Sequence, residues 1–457
     1  MSDQNAESNQ ERRQGLIDGS EKVKRSTPDD VADKETSTKK ITDLNSYCLE
    51  HIFNYLELPD LVNVADSNSK LRSDCELPFI RNYRSKKVQM MRYGGWSTHL
   101  TYSNWFRIDT STISIRNMIA CLKLLRHFGH LLTNLSINFD ESMPAHCAEV
   151  ERYIHDNCAE SLVEIDFGYA QQSTFSTIKK PFSKIEKVSF SDSELGKEIC
   201  EFNKWFPNMR HLHFNMCDTI ADLRCIEKPI PNLKHLELHI NGCDKGFQKL
   251  NVLECLRLNQ NLQIFALSNS FDGTFFELAS RYLQNLQHLQ INTSQESYFH
   301  NVDSRIRFEN VKFLFIVSSR NEIIPKIPFT YGRLEMFNII AGGIQSNDEF
   351  FRNHSLKKLK LAARYYSQSF EIIGEKLQLA KALPQLTEFS ATSVFSVDEA
   401  IAFANECPML KLFEFKLSTQ SEYDDLESRF TRHSEWNASI KHPLIIQLQR
   451  CTLHLDE

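Results

Sequence analysis

Two hydrophobic periods divide the chain. Near its start, Cys48, Leu49, Ile52, Phe53 and Leu56 fall on one helix face, and Leu61, Val64 and Ala65 begin a second stripe at i, i+3, i+4. Pro59 and Asp60 separate the stripes, and Asp60 suits the first turn of the second helix, where a carboxylate meets unpaired N–H groups. The spacing predicts a helical hairpin or trio of about 40 residues, a marginal core by itself that has to dock on something.

From residue 132 the period changes. A six-residue pattern returns: apolar, two variable, apolar, one variable, apolar. It begins at Leu132, Leu162, Ile185, Met209, Leu233, Leu262, Leu286, Val311, Leu334, Leu356, Leu386 and Leu410, with successive starts 22 to 30 residues apart. A period in the twenties marks leucine-rich repeats, each with one short strand. Between strands, Leu195, Ile199, Phe202 and Phe206 step at helical spacing. Ser396 and Glu399 have capping-box spacing ahead of a helix that stops near Pro408. Each unit is therefore expected to be a strand plus a helix. Strands stack about 4.8 Å apart and helices need about 8–10 Å, so the expected fold is an α/β solenoid with a curved parallel sheet inside and helices outside. The stretch "CLKLLRHFGHLL" reads as a helix closing the first end, and "LIIQLQ" from Leu444 as a last strand.

Composition refines this picture. Residues 1–40 hold no aromatic side chain and few apolar ones, so they are expected to be disordered; Lys22, Lys24 and Arg25 form a short basic run there. The expected domains are this head, helices over 41–85, a connecting segment with a cap over 86–131, and the repeats over 132–457. A net charge of -6 argues against a basic footprint for nucleic acid. The start lacks an apolar run and no stretch is long enough to span a bilayer, so neither a signal peptide nor a membrane segment is expected, and the location is expected to be cytoplasmic or nuclear. Twelve scattered cysteines without a C-x-x-C pair read as free thiols, not zinc ligands or disulfides.

Variable strand positions alternate with buried ones and share one face. In order they are Glu164 and Asp166, then His211, His213, His235, Glu237 and His239, then His288, Gln290, Phe313, Phe315 and Val317, and later Met336, Asn338, Lys358, Lys360, Glu414 and Lys416. The histidines read as a solvated polar face, with a pH-sensitive or metal-binding patch as the alternative. "VKFLFIV" is apolar on both sides, which fits either a partner pocket or burial beneath the loop "NTSQESYFHNVDSRIRF" or the chain's own tail. His211, His213, His235, His239, His288, Phe313 and Phe315 are the candidate target-binding residues. No catalytic residues, cofactor or metal are expected. The G-x-S-x-G, P-loop and H-E-x-x-H motifs are absent, and the pairing of Cys217 with His213 lacks a third orienting group.

The first stripe resembles the F-box pattern L-P-x-E-x-L-x-x-I-F-x-x-L-x-x-x-D-L. Leu44, Leu49, Ile52, Phe53, Leu56, Asp60 and Leu61 match it, while Asn45 stands in place of the proline, and Ser67, Asn68 and Leu71 stand where V-C-x-x-W is common. The repeats look like those of F-box/leucine-rich-repeat proteins. Cys217 and Asn241 occupy the family's Asn/Cys position, with Ser193, Ser270, Ser294, Ser319 and Ser418 there elsewhere. The resemblance implies a non-catalytic substrate-receptor subunit of a ubiquitin ligase. Leu44, Cys48, Leu49, Ile52, Phe53, Leu56, Asp60 and Leu61 would hold a Skp-type adaptor, and through it a cullin, while the repeats hold an unknown target protein. A binding scaffold that directs no ubiquitination is the alternative.

Overall fold

The computed structural model describes residues 40–91, 106–108, 110–138, 144–168, 180–191, 202–215, 228–239, 245–268, 273–293, 306–318, 323–324, 327, 329–346, 349–352, 355–365, 368–419, 421–422, 424–426 and 445–448. The polar head, Cys217, Asn241 and all the repeat serines named above except Ser418 lie outside them. The chain divides into two compact units, Met1–Leu44 and Asn45–Glu457. In the first, Ile41–Asp43 makes one 3-10 turn, closed by the Lys40 N–H donating to the Asp43 carboxylate at 2.8 Å.

The second unit opens with three helices, α1 (Ser46–Phe53), α2 (Leu58–Ser67) and α3 (Ser69–Asn82). The two departures from the F-box pattern turn out to be helix caps. The Asn45 side chain accepts the Cys48 N–H at 2.8 Å at the start of α1, and the Asn68 side chain accepts the Lys70 N–H at 2.9 Å at the start of α3. Pro59 does not interrupt α2; it sits in the first turn, where no helical N–H is needed, with Asp60 beside it. Leu49, Phe53, Leu58, Leu61, Val62, Ala65, Leu71, Cys75 and Phe79 are buried. A core this small gains support from α4 (Met118–Phe128): the Phe79 and Phe128 rings stack at 4.4 Å, and the Asp66 carboxylate pairs with Lys123 Nζ at 2.7 Å and His127 Nε2 at 2.9 Å. The docking partner of the small helical group is thus, in part, the helix that starts the repeats.

Sixteen strands among the described residues form one sheet. It starts Phe106–Ile108, Thr112–Ile115, Lys87–Met91, Asn134–Asn138. It then follows the chain through Glu164–Gly168, Lys187–Ser191, His211–Asn215, His235–His239, Ile264–Ser268, His288–Thr293, Phe313–Ser318, Met336–Ile340, Lys358–Ala362, Glu388–Val394, Leu412–Lys416 and Ile445–Leu448. The first two strands are antiparallel and every other neighbouring pair is parallel. The protein is α/β, with a long parallel sheet whose strand order follows the sequence from Lys87–Met91 onward, which is compatible with a solenoid-like fold.

Equivalent positions stack in register. Phe167, Phe190 and Phe214 pair across neighbouring strands, with ring centroids 5.4 and 5.5 Å apart, on the buried face. An asparagine immediately before the repeat pattern links units through the backbone. The Nδ2 of Asn208, Asn232, Asn285 and Asn310 donates to the carbonyl of Ser183, Pro207, Gln260 and Gln284, at 2.7, 3.3, 3.4 and 2.7 Å. Each bond satisfies a carbonyl one unit earlier in the chain.

Residues 86–131, expected to connect and to cap, hold three strands of the main sheet as well as α4. One expectation is corrected. Among the described residues between 306 and 373 no α-helix follows the strands, only the 3-10 turn Glu349–Arg352. There the returns hold two small parallel sheets, Arg307–Phe308 with Thr330–Tyr331, and Ile323–Ile324 with Gly343–Gln345 and Glu371–Ile373. At Gly343 a Cβ would fall 2.3 Å from the Glu371 carbonyl oxygen, so only glycine fits that strand pair. Elsewhere the helical reading holds: Ser396 and Glu399 form a capping box on the helix Val397–Glu406. Of the helical pattern over 195–206, Leu195 and Ile199 lie outside the described residues, and Phe202–Trp205 is helical. No helix among the described residues is long and apolar enough to cross a membrane.

Candidate functional site

Two surfaces of the second unit carry candidate residues. The first is the outer face of α1. Burial divides the helical stripe: Phe53, Leu49 and Leu61 are core, Phe53 being 1% exposed, so they are packing residues of α1–α3 and cannot themselves form a docking face. The small helical group uses Leu49, Phe53, Leu61 and Phe79 to hold itself together. Cys48 and Leu56 are half-buried, and Asp60 is exposed in the first turn of α2. Ile52 stays 41% exposed. Beside it stand two aromatics that the stripe did not include, Tyr47 at 79% and Tyr55 at 77% exposure. Tyr55 meets His51 edge-on at 5.5 Å, and Glu50 holds Arg81 of α3 at 3.0 Å. An aromatic on the polar side of an amphipathic helix was the available sequence signal. Leu44 is exposed and belongs to the first unit.

The second surface is the variable face of the sheet. Alternation places His211 and His213 on one strand and His235, Glu237 and His239 on the next, all half-buried. Register sets His211 opposite His235 and His213 opposite Glu237. Glu237 is the hub. Its Oε1 lies 2.6 Å from His235 Nε2, and its Oε2 lies 3.6 Å from His213 Nε2 and 3.7 Å from His239 Nε2. His235 Nδ1 and His211 Nδ1 approach at 3.2 Å. His239 Nδ1 forms a short hydrogen bond with Ser268 Oγ, which also accepts from Asn292 Nδ2 at 2.6 Å.

The electrostatics follow from this packing. His235 first, then His239, holds the Glu237 carboxyl far below the usual carboxylate range. Burial pushes His213 down, against the pull of Glu237. Burial, with His235 next in weight, also pushes His211 and His288 down. Glu237 is thereby held as the carboxylate, and His211, His213 and His288 are biased toward the neutral imidazole.

Beyond the histidines the face is divided by charge. Glu164 and Asp166 are met by Lys187 at 3.0 Å and Lys87 at 3.3 Å, so the acidic start is neutralised. Further along, the ring of His288 lies 6.0 Å from that of Phe313. Phe313 is 41% exposed and Phe315 half-buried, so the two-sided apolar strand is not sealed on this face. Much of the loop expected to cover it, residues 294–305, lies outside the described residues. Lys358 then pairs with Glu388 at 2.7 Å, and Ser390 donates to Glu414.

Fold and site together define an α/β protein with one long, mostly parallel sheet that presents a Glu-centred histidine cluster on its open face and, separately, an aromatic helix surface near its beginning. No protein-family model matches the chain, and no curated protein sequence matches it.

Proposed function

We propose that the chain is a non-catalytic substrate-receptor subunit of a Skp-cullin-F-box ubiquitin ligase, with α1–α3 acting as an F-box and the sheet units as leucine-rich repeats. The observation that carries this reading is the division of α1. Leu49 and Phe53 fix the helix to its own group, while Tyr47, Ile52 and Tyr55 remain in solvent as an apolar and aromatic face beside the polar pair Glu50–Arg81. Such a face suits helix packing with a second protein, apolar at its centre and polar at its rim. Aromatic side chains are the usual energetic centres of such contacts. The open sheet face, with His288, Phe313 and Phe315 following the histidine cluster, would hold the target protein. Transfer chemistry then belongs to other subunits, and this chain supplies proximity by holding both partners at once.

The test is a double variant, Ile52→Asp with Tyr55→Asp. Both side chains are exposed, so the variant should keep its circular dichroism and melting temperature and lose co-purification with a Skp-type adaptor. Undiminished adaptor capture by the folded variant overturns the reading of α1. Adaptor capture without any change in target turnover when the chain is depleted would instead identify a scaffold.

A further inference from the structure

The three-way arrangement of His213, Glu237 and His239 is not that of a relaxed hydrogen-bond network. Glu237 Oε2 faces two imidazole Nε2 atoms at 3.6 and 3.7 Å, whereas N–H···O bonds close to about 2.9 Å. All three ligand atoms lie within 4.8 Å of one another. His213 Nε2 is buried without a hydrogen-bond partner, and a buried orphan of this kind calls for an ion or water.

We propose that His213, Glu237 and His239 form a binding site for a divalent transition ion of the zinc class. Tetrahedral zinc, with bonds of about 2.0–2.1 Å, sets its ligand atoms about 3.3 Å apart. The two edges that meet at Glu237 need to shorten by only a few tenths of an ångström to reach this; the His213–His239 edge closes by rotation of the rings. Two imidazoles and one carboxylate are donors that suit zinc and its neighbours, and the nitrogen content disfavours calcium and magnesium.

The surrounding groups hold the donors in place. His235 Nε2 lies 2.6 Å from Glu237 Oε1, while Oε2 is the oxygen that faces His213 and His239 at 3.6 and 3.7 Å. Ser268 engages His239 Nδ1, so that His239 presents Nε2 to the cluster, and Asn292 fixes Ser268 in turn. Such outer contacts fix tautomer and ring orientation in built metal sites. Three protein donors on the open face of the sheet leave a fourth position for water or for a donor from another molecule. The site stands independently of the adaptor reading, since none of its residues belongs to α1–α3.

Among the described residues, the one free thiol that is not buried is Cys48, which is half-buried. Cys75, Cys121, Cys158, Cys255 and Cys407 are buried free thiols, and burial pushes Cys75, Cys255 and Cys407 up to about 12.

The experiment uses the full chain, stripped with chelator and with accessible thiols alkylated. Zinc is titrated by calorimetry and cobalt by absorption. The expected result is one ion per chain, a cobalt spectrum without a thiolate charge-transfer band, and affinity weakened at least about tenfold in Glu237→Gln and His239→Asn but unchanged in His130→Asn, on a distant helical turn. Imidazole NMR signals of the unmutated chain supply a readout that needs no variant: His213 and His239 should shift on zinc addition. The proposal is overturned if the unmutated chain binds no zinc, if zinc leaves both imidazoles unmoved, or if folded Glu237→Gln and His239→Asn bind it as tightly as the unmutated chain.

Discussion

The outer face of α1 and the open face of the sheet are both exposed, yet they hold their side chains differently. On α1 and the turn that follows it, Tyr47, Ile52 and Tyr55 project into solvent, and the helix is kept in place by Leu49 and Phe53 on its other side. On the sheet, His213, Glu237 and His239 are held by one another and by Ser268 and Asn292. Position on α1 is set by packing behind the surface. On the sheet it is set within the surface itself. Substitutions on α1 should therefore separate stability from binding cleanly, whereas those in the histidine cluster should disturb the arrangement of their neighbours.

The strongest way to break this contrast is Phe53→Ala. Truncating a fully buried phenylalanine should cost about 3–5 kcal/mol and lower the denaturation midpoint of α1–α3, while Tyr55→Ala should stay within about 0.5 kcal/mol of the unmutated chain. Equal effects of the two substitutions in urea titrations would remove the distinction between the two faces of α1. A smaller effect is expected at the cap: Asn45→Ala should destabilise by about 1 kcal/mol, and Asn45→Asp by less, since Asp also accepts the Cys48 N–H. A proline there, as in the pattern it resembles, would lack that acceptor.

The smallest effect is one of pH. His127 is buried, and burial lowers its pKa below the ordinary 6.5 despite the hydrogen bond to Asp66; Arg72 and Arg126 push the same way, while Lys123 and His127 hold the Asp66 carboxyl below 3.8. A histidine with a depressed folded pKa gives full stability above its unfolded value and loses it as pH falls through the folded one, because the unfolded chain takes up the proton first. Melting temperature should therefore fall as pH drops through and below the ordinary 6.5, and His127→Gln should show a smaller fall. An unchanged pH dependence in that variant would remove His127 from the account. The Asp66 contribution is lost only in stronger acid, below its ordinary 3.8.

Much of the sheet was legible because a strand buries alternate residues, and that rule is local. Leu135, Ile165, Val188, Leu212 and Leu236 are buried where the six-residue pattern placed them, and Ser396 caps the helix its spacing announced. The linking asparagine before four of the twelve patterns, at 208, 232, 285 and 310, was an available signal that went unread; its meaning needs the preceding unit in space. On α1 the stripe was legible as a helix face, but not which of its members turn inward. Cys48, Leu49, Ile52, Phe53 and Leu56 span enough of the circumference for α3 to cover some and leave others, and that choice depends on α3 and α4.

The sequence by itself determined the repeating strand, the face on which His211, His213, His235, Glu237 and His239 stand, and the helical character of residues 46–82, because each follows from a period within a short window. Tertiary structure alone decided that Phe53 is core and Tyr55 surface, that Lys87–Met91, Phe106–Ile108 and Thr112–Ile115 extend the sheet, and that small sheets stand among the described residues between 306 and 373. It also decided that Glu237 Oε2 lies between two imidazoles with Ser268 behind one of them. These outcomes depend on contacts between elements far apart in the chain, where packing and register, not local pattern, select the arrangement.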